Sequence, residues 1–175
     1  MSGADEAARL AAFRRPPPLT IGEALASANP IGAIWTRLGR VPVHVPLTAQ
    51  ERLFKQVAGF HADADNGGLH QALTNSSGDD AGVVAAFVRD WCRLELAGVF
   101  EDLARLFADG VIPTDRDVRE PLVWAMPRDP GLDPFDDLDA RYHALTFGAE
   151  SDAMDVGLVA FVTRHQDAFV HLATC

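Results

Sequence analysis

The sequence has few cysteines and no long apolar run. Only two of its 175 residues are cysteine, Cys92 within a helical pattern and Cys175 at the last position. Cysteines this sparse and this far apart are typical of reduced thiols in the cytoplasm. No window approaches the roughly 20 consecutive apolar residues that a membrane span needs. We therefore expect a soluble, cytoplasmic protein that is not exported and has no membrane partner.

Enzyme signatures are also missing. The chain has no G-x-S-x-G elbow, phosphate-binding loop, dinucleotide fingerprint, H-E-x-x-H or C-x-x-C motif. Its six histidines lack the spacing by which one helix face gathers metal ligands. Ser76 and Ser77 beside His70 suggest a nucleophile and a base, but this composition is first that of a turn. We expect a non-enzymatic protein with no cofactor and no bound metal.

Helical periodicity dominates the sequence. The clearest amphipathic pattern is formed by Val84, Phe87, Val88, Trp91 and Cys92. No stretch shows a convincing alternation of apolar and polar side chains, which a half-buried strand requires. At 175 residues and 48% hydrophobic composition, the chain can bury a sizeable core. The predicted fold is an all-α, single compact multi-helix domain with little or no β-structure.

The chain is predicted to consist of an N-terminal appendage, residues 1–18, and a helical domain, residues 19–175. The appendage ends in Arg14-Arg15-Pro16-Pro17-Pro18, a run that is extended and stiff. Capping boxes formed by Thr20 with Glu23 and by Thr48 with Glu51 predict two helix starts.

Later boundaries rest on single residues. Asp133-Pro134 and Ser151 predict two further helix starts. Gly98 marks a kink or a corner in the sequence pattern, and Pro121 lies too deep for an uninterrupted helix. Trp124 is expected inside the protein.

Residues 66–79 combine helix stops and turn formers in one short stretch. Gly67 and Gly68 can take positive φ without steric cost, so they predict the end of one helix and the immediate start of another. On the new helix, Leu69 and Leu73 are spaced to face the core. Asp79 is predicted to cap the helix that follows.

The same stretch has a functional alternative. It contains four polar side chains that could form one corner: Asn66, His70, Gln71 and Asn75. The alternative is a small-molecule-binding or catalytic protein of unknown activity that uses this corner, and it predicts an open pocket with His70 pointing inward.

The pattern N-G-G-x-x-Q-x-x-x-N-S-S-G-D resembles the core signature of the DNA-mimic protein family, a bacterial domain long catalogued without a known function. Its fixed positions are Asn66, Gly67, Gly68, Gln71, Asn75, Ser76, Ser77, Gly78 and Asp79. Residues 96–107 and 135–169 are similar to later parts of the family, so the resemblance spans roughly residues 47–169. The chain departs from the family at Leu69, Ala72 and Leu73, where aromatic residues are usual.

Charge is divided unevenly along the chain. Residues 1–60 hold seven basic and four acidic side chains, a net charge of +3, whereas residues 61–175 hold eight basic and 21 acidic side chains, a net charge of −13. The acidic part would repel phosphates, so we expect no direct binding of nucleic acid there. A basic partner is the natural complement.

One segment carries most of this argument. Between positions 129 and 155, only Arg141 opposes the acidic side chains Asp129, Asp133, Asp136, Asp137, Asp139, Glu150, Asp152 and Asp155. These are the candidate partner-binding residues. The residues alone allow a solvated acidic face, a divalent cation at Asp133, Asp136 and Asp137, or an imitation of the charge line of DNA.

The resemblance implies the last of these. A family member is expected to bind the DNA-binding face of a basic protein, such as a helix-turn-helix transcription regulator. A homodimer is plausible, because a two-fold mimic would match a two-fold partner.

Overall fold

The computed structural model describes residues 19–129, 131–147 and 152–172. Within these ranges the chain forms eight α-helices and no strand, which confirms the all-α prediction. The helices are α1 Ile21–Leu25, α2 Pro30–Leu38, α3 Ala49–Thr74, α4 Ala81–Trp91, α5 Leu94–Arg105, α6 Arg116–Trp124, α7 Phe135–Thr146 and α8 Ala153–Arg164. Four predictions concern positions outside the described residues: the appendage 1–18, Glu150, Ser151 and Cys175.

Helix α3 is the centre of the fold. It packs against α2, α4, α6, α7 and α8. Its inward face carries Phe54, Val57, Phe60 and Ala64, all fully buried. Burying one such phenylalanine or valine stabilises the fold by about 1.5–3 kcal/mol, so α3 holds the other helices in place.

Both predicted capping boxes are present. The backbone N–H of Glu23 donates to Thr20 Oγ1, and that of Thr20 donates to Glu23 Oε2. Thr48 and Glu51 exchange the same pair of bonds at the start of α3. The predicted start at Asp133 is also confirmed, since Asp133 Oδ1 accepts from the Phe135 N–H at 2.8 Å.

Helix α3 is kinked at Gly67 and Gly68, as predicted. Gly68 has φ 78°, a conformation that favours glycine. The Leu69 N–H that the kink frees donates to Asp139 Oδ1 on α7 at 2.7 Å. Leu69 and Leu73 then return to the core and are fully buried.

Two predicted boundaries were wrong. Gly98 lies within the continuous helix α5, and the corner falls at Cys92 and Arg93, whose backbones are extended. Asp79 does not cap α4; it lies in the 3-10 turn Ser76–Asp80, and its carboxylate accepts from Arg119 instead. A long-range partner outcompetes the local cap.

Two predictions for α6 were also wrong. Helix α6 continues through Pro121, which is exposed, so that water can hydrate the carbonyl that loses its partner. Trp124 is 59% exposed rather than inside. Its ring lies beside the Arg128 guanidinium, 5.5 Å from the centroid, and its indole N–H donates to Glu120. These polar contacts stabilise the exposed position.

None of the helices in the described ranges is both long and apolar enough to cross a membrane.

Candidate functional site

Three of the predicted partner-binding residues are exposed near the start of α7. Asp136 and Asp137 lie in the first turn of α7, and Asp129 lies in the turn before it, where its carbonyl accepts from Leu132 N and Asp133 N. The Asp137 side chain is 79% exposed. We call Asp129, Asp136 and Asp137 the α7 acidic patch.

Two neighbouring aspartates are turned inward. Asp133 is only 13% exposed, caps α7 and lies 3.6 Å from Arg128 Nη1. Asp139 accepts from the backbone of Leu69, and burial raises the pKa of its carboxyl. Both are used by the scaffold, so the structure does not bring them to the surface of the α7 acidic patch. In the described part of the chain, the carboxylates of Asp133, Asp136 and Asp137 do not come close enough together to form the possible cation site.

Arg141 joins this patch to α5. Its Nη1 lies 2.8 Å from Asp102 Oδ2 and 3.3 Å from Asp137 Oδ2. The hydrogen bond from Arg141 lowers the pKa of Asp102. Glu101, 67% exposed, lies beside Asp102 and within reach of Arg105. The exposed acidic surface therefore extends onto α5, which the sequence did not indicate, and two arginines partly neutralise it.

The remaining described candidates, Asp152 and Asp155, lie elsewhere, around a buried histidine. His61 Nε2 lies 3.1 Å from Asp152 Oδ2 and 4.0 Å from Asp155 Oδ1. His61 Nδ1 lies 2.7 Å from Tyr142 Oη and 3.2 Å from Asp65 Oδ1. We call His61, Asp65, Tyr142, Asp152 and Asp155 the His61 cluster.

The electrostatics of the His61 cluster follow from crowding. Burial alone would lower the pKa of His61, but the hydrogen bond to Asp152 and the charges of Asp65, Asp152 and Asp155 overcome it and raise the pKa. Burial also raises the pKa of Asp65 and of Asp155. His61, Asp65 and Asp155 therefore hold their protons more readily than the same groups do in water.

A cleft opens onto this cluster. Its volume is about 290 Å³, and α2 contributes Ile31 and Trp35 to its wall. On the other side Asp65, Asp152 and Asp155 line it. The cleft is large enough for several water molecules or a small ligand.

Sequence reasoning missed the His61 cluster because it compared histidines only with one another. The pairs His61 with Asp65, four apart, and Asp152 with Asp155, three apart, each present two ligand-type side chains on one helix face. That spacing was the available signal. The separation of 91 positions between His61 and Asp152 concealed the contact.

The polar corner is packed by aromatic residues. The His70 ring lies edge-on to Trp124 and Phe135, with centroid distances of 4.9 and 5.5 Å. Its buried Nε2 has no hydrogen-bond partner among the described residues, and burial, followed by the charge of Arg128, lowers its pKa. Gln71 lies against Gly67, so close that a Cβ there would be 2.1 Å from Oε1.

Neither Ser77 nor the thiol Cys92 is placed as an activated nucleophile. Ser77 Oγ donates to Asp63 Oδ2 at 2.6 Å rather than to His70. Cys92 is a free thiol whose burial raises its pKa to about 12, so it is a poor thiolate donor.

Arg119 is the main residue of this region that sequence reasoning overlooked. Its side chain is fully buried and donates to the carbonyls of Leu73, Pro113 and Thr114 and to Asp79 Oδ1, at 2.7–3.1 Å. A Cβ on Gly78 would lie 2.8 Å from Arg119 Nε. The glycine and the aspartate of the turn are thus both explained by one arginine.

The fold and the exposed carboxylates define an acidic all-α domain with a charged surface on α5 and α7. The family model for DMP19-like protein matches residues 46–165, a range that contains α3 to α8 and the stretch 66–79. The chain belongs to the DMP19-like protein family. No curated protein and no solved structure matches it.

Proposed function

We propose that this protein is a non-enzymatic DNA mimic that binds the DNA-binding face of a basic partner, with a helix-turn-helix transcription regulator as the expected partner class. The observation that carries the proposal is membership of the DMP19-like family, whose name is consistent with DNA mimicry. The net charge of −13 over residues 61–175 supports it.

The α7 acidic patch is the surface that best fits this role. Phe135 and Leu138 are 2% and 4% exposed and fix α7 to the core, so Asp136 and Asp137 project from a rigid support. Duplex DNA presents one negative charge per about 1.7 Å of its axis. A helix rises about 1.5 Å per residue and turns by about 100°, so Asp136 and Asp137 place two negative charges within a short length of the α7 axis, on neighbouring faces of the helix.

Glu101 and Asp102 of α5 extend the proposed surface across Arg141. Arg141 is itself 40% exposed and bridges the two helices. In this proposal, the arginine holds the carboxylates of the two helices at a fixed separation, at the cost of part of the negative charge. Asp133, Asp139, Asp152 and Asp155 support the fold or belong to the His61 cluster.

The mechanism is competition. The protein would occupy the basic face of the regulator and displace its DNA. Because exposed charges are screened within about 8 Å at physiological ionic strength, affinity should fall as salt rises.

The test begins with a pull-down from cell lysate at low and high salt, followed by displacement of labelled DNA from any captured regulator. We expect capture at low salt, weaker capture at high salt and release of the DNA. Failure to enrich any DNA-binding protein at either salt would overturn the proposal.

Two variants of equal charge change locate the surface. The first neutralises the α7 acidic patch with D129N, D136N and D137N. The matched control neutralises three exposed carboxylates elsewhere: Asp90, Glu95 and Asp167. We expect at least a tenfold loss of affinity in the first variant and a much smaller loss in the control. Equal losses would show that net charge, rather than this surface, sets binding.

A homodimer remains the expected assembly, because a two-fold protein presents two copies of the surface to a two-fold regulator. Light scattering of the purified protein measures this directly.

A further inference from the structure

We propose that His61, Asp152 and Asp155 bind a divalent metal ion of the zinc class at the cleft between α2, α3 and the start of α8. This site differs from the proposed partner surface. It also departs from the expectation, drawn from the sequence, that the protein holds no metal.

The three ligand atoms already lie close to coordination geometry. His61 Nε2 is 3.1 Å from Asp152 Oδ2 and 4.0 Å from Asp155 Oδ1, and all three atoms lie within 4.8 Å of one another. Tetrahedral zinc with bonds of about 2.0–2.2 Å separates its ligand atoms by about 3.3–3.6 Å. Small side-chain adjustments therefore suffice.

The carboxylate of Asp152 is oriented by its own helix. Its Oδ1 accepts from the backbone N–H groups of Met154 and Asp155 at 2.8 and 3.1 Å. Because these bonds fix Oδ1 at the start of α8, Oδ2 is directed at His61. One oxygen is held by the backbone and the other is available to a metal.

The imidazole of His61 is oriented in the way that metal-binding histidines usually are. Its Nδ1 faces Tyr142 Oη at 2.7 Å and Asp65 Oδ1 at 3.2 Å. Nε2–H now donates to Asp152 Oδ2 at 3.1 Å. A metal would take the place of that proton, while an Nδ1–H directed at Tyr142 and Asp65 would fix the tautomer, as such partners do for a ligating histidine. His61 is 6% exposed and Tyr142 is fully buried, so the arrangement is rigid.

Asp65 orients the histidine from the other side of the ring. Its buried Oδ1 lies 3.2 Å from His61 Nδ1 and favours the tautomer in which Nδ1 carries the proton and Nε2 can bind a metal. Asp65 also lines the same cleft of about 290 Å³ as Asp152 and Asp155, and this cleft has room for water beside the ligand atoms.

The chemistry of the ligands favours zinc-class ions over Mg²⁺ or Ca²⁺. An imidazole nitrogen suits Zn²⁺ and its neighbours, whereas Mg²⁺ and Ca²⁺ prefer oxygen alone. A divalent cation would also offset the repulsion among three crowded carboxylates. The bound ion would tie the start of α8 to α3.

The test is calorimetric titration of the full chain with ZnCl₂ after treatment with a chelator, followed by thermal melting. We expect one ion per chain and a higher Tm with zinc. We expect D155N to weaken binding at least tenfold, because it replaces a carboxylate ligand with a neutral amide. The variant should still fold, because Asp155 is half-exposed and its side chain caps no helix. D90N, at an exposed carboxylate far along α4, should bind zinc as the natural protein does.

Two further measurements decide the outcome. The ¹⁵N resonance of His61 Nε2 should shift on addition of zinc, and MgCl₂ should bind at least tenfold more weakly. Absence of saturable zinc binding would overturn the proposal, and so would equal affinity of D155N and the natural protein. Partner capture does not enter these readouts, so the DNA-mimic proposal can fail while this one stands.

Discussion

Asp136 and Asp139 lie three residues apart on α7 and have opposite surroundings. Asp136 belongs to the exposed α7 acidic patch, whereas Asp139 lies against the kink of α3, where a Cβ on Gly68 would be 2.4 Å from its Oδ2. Asp139 uses its carboxylate inside the molecule, where it accepts from the Leu69 N–H, and the patch leaves its carboxylates to solvent. Acidic composition alone therefore does not identify a binding surface; each carboxylate must be assigned by what it contacts.

The largest expected effect is at Arg119. R119M leaves several buried carbonyl groups without a donor and Asp79 without its partner, so we expect unfolding to become easier by about 3–5 kcal/mol. R116M, at the exposed Arg116–Glu120 pair, should cost at most about 1 kcal/mol. Urea denaturation measures both. Similar losses would mean that the corner does not depend on Arg119.

Gly68 is the next most sensitive position. G68A places a Cβ at positive φ and against Asp139, so we expect a loss of about 2–4 kcal/mol. G110A shares the positive φ, 65°, but has open space around it, and should cost only about 1 kcal/mol. The difference between the two Tm shifts isolates the contact with Asp139. If the two Tm shifts are equal, backbone strain alone accounts for the effect of G68A, and the contact with Asp139 contributes nothing.

Asp139 and Asp136 provide a smaller and more direct comparison. D139A removes the acceptor of the Leu69 N–H, and we expect a loss of about 1–3 kcal/mol. D136A should change stability by no more than about 0.5 kcal/mol. Chemical denaturation of both variants checks this. A larger loss for D136A than for D139A would contradict the division between corner and patch.

The smallest effect concerns pH and His70. Because burial and Arg128 lower its pKa in the folded state, with Asp133 opposing, the unfolded state takes up a proton at higher pH than the folded state. The stabilisation from neutral His70 is therefore complete above about pH 6.5 and is lost as pH falls through the lowered pKa.

Comparison with H70Q separates the pH-dependent stabilisation from His70 from the effects of the other titrating groups. As pH falls from 7.5 to 5, the unfolding free energy of the natural protein should decrease relative to that of H70Q. A difference that stays constant over this range would show that protonation of His70 does not affect folding.

Local features of the fold were predictable and long-range ones were not. The capping boxes at Thr20 and Thr48 and the kink at Gly68 depend on neighbouring residues, so their patterns were visible in the sequence. Asp79 follows the local rule for a cap, yet Arg119, 40 residues later, takes its carboxylate. No local pattern specifies that choice.

The candidate sites show the same limit. Eight acidic residues near one another in the sequence predicted a single surface, but the start of a helix turns Asp133 into a cap and the kink of α3 draws in Asp139. Asp152 and Asp155 face His61 because α8 packs on α3. The sequence showed that this segment is rich in acidic residues, but the packing of the helices determines where each carboxylate lies.

The buried carboxylate of Glu51 extends the fold beyond the range that the family model matches. Glu51 is fully buried. Its Oε1 accepts from the backbone N–H of His171 at 2.9 Å, and its Oε2 lies 2.6 Å from His171 Nδ1. Thr48 Oγ1 adds a bond to the Ala168 carbonyl. A shortened chain that stopped at residue 165 would lose both His171 contacts to Glu51 and the Thr48–Ala168 bond, so residues 166–172 help to hold the start of α3 in place.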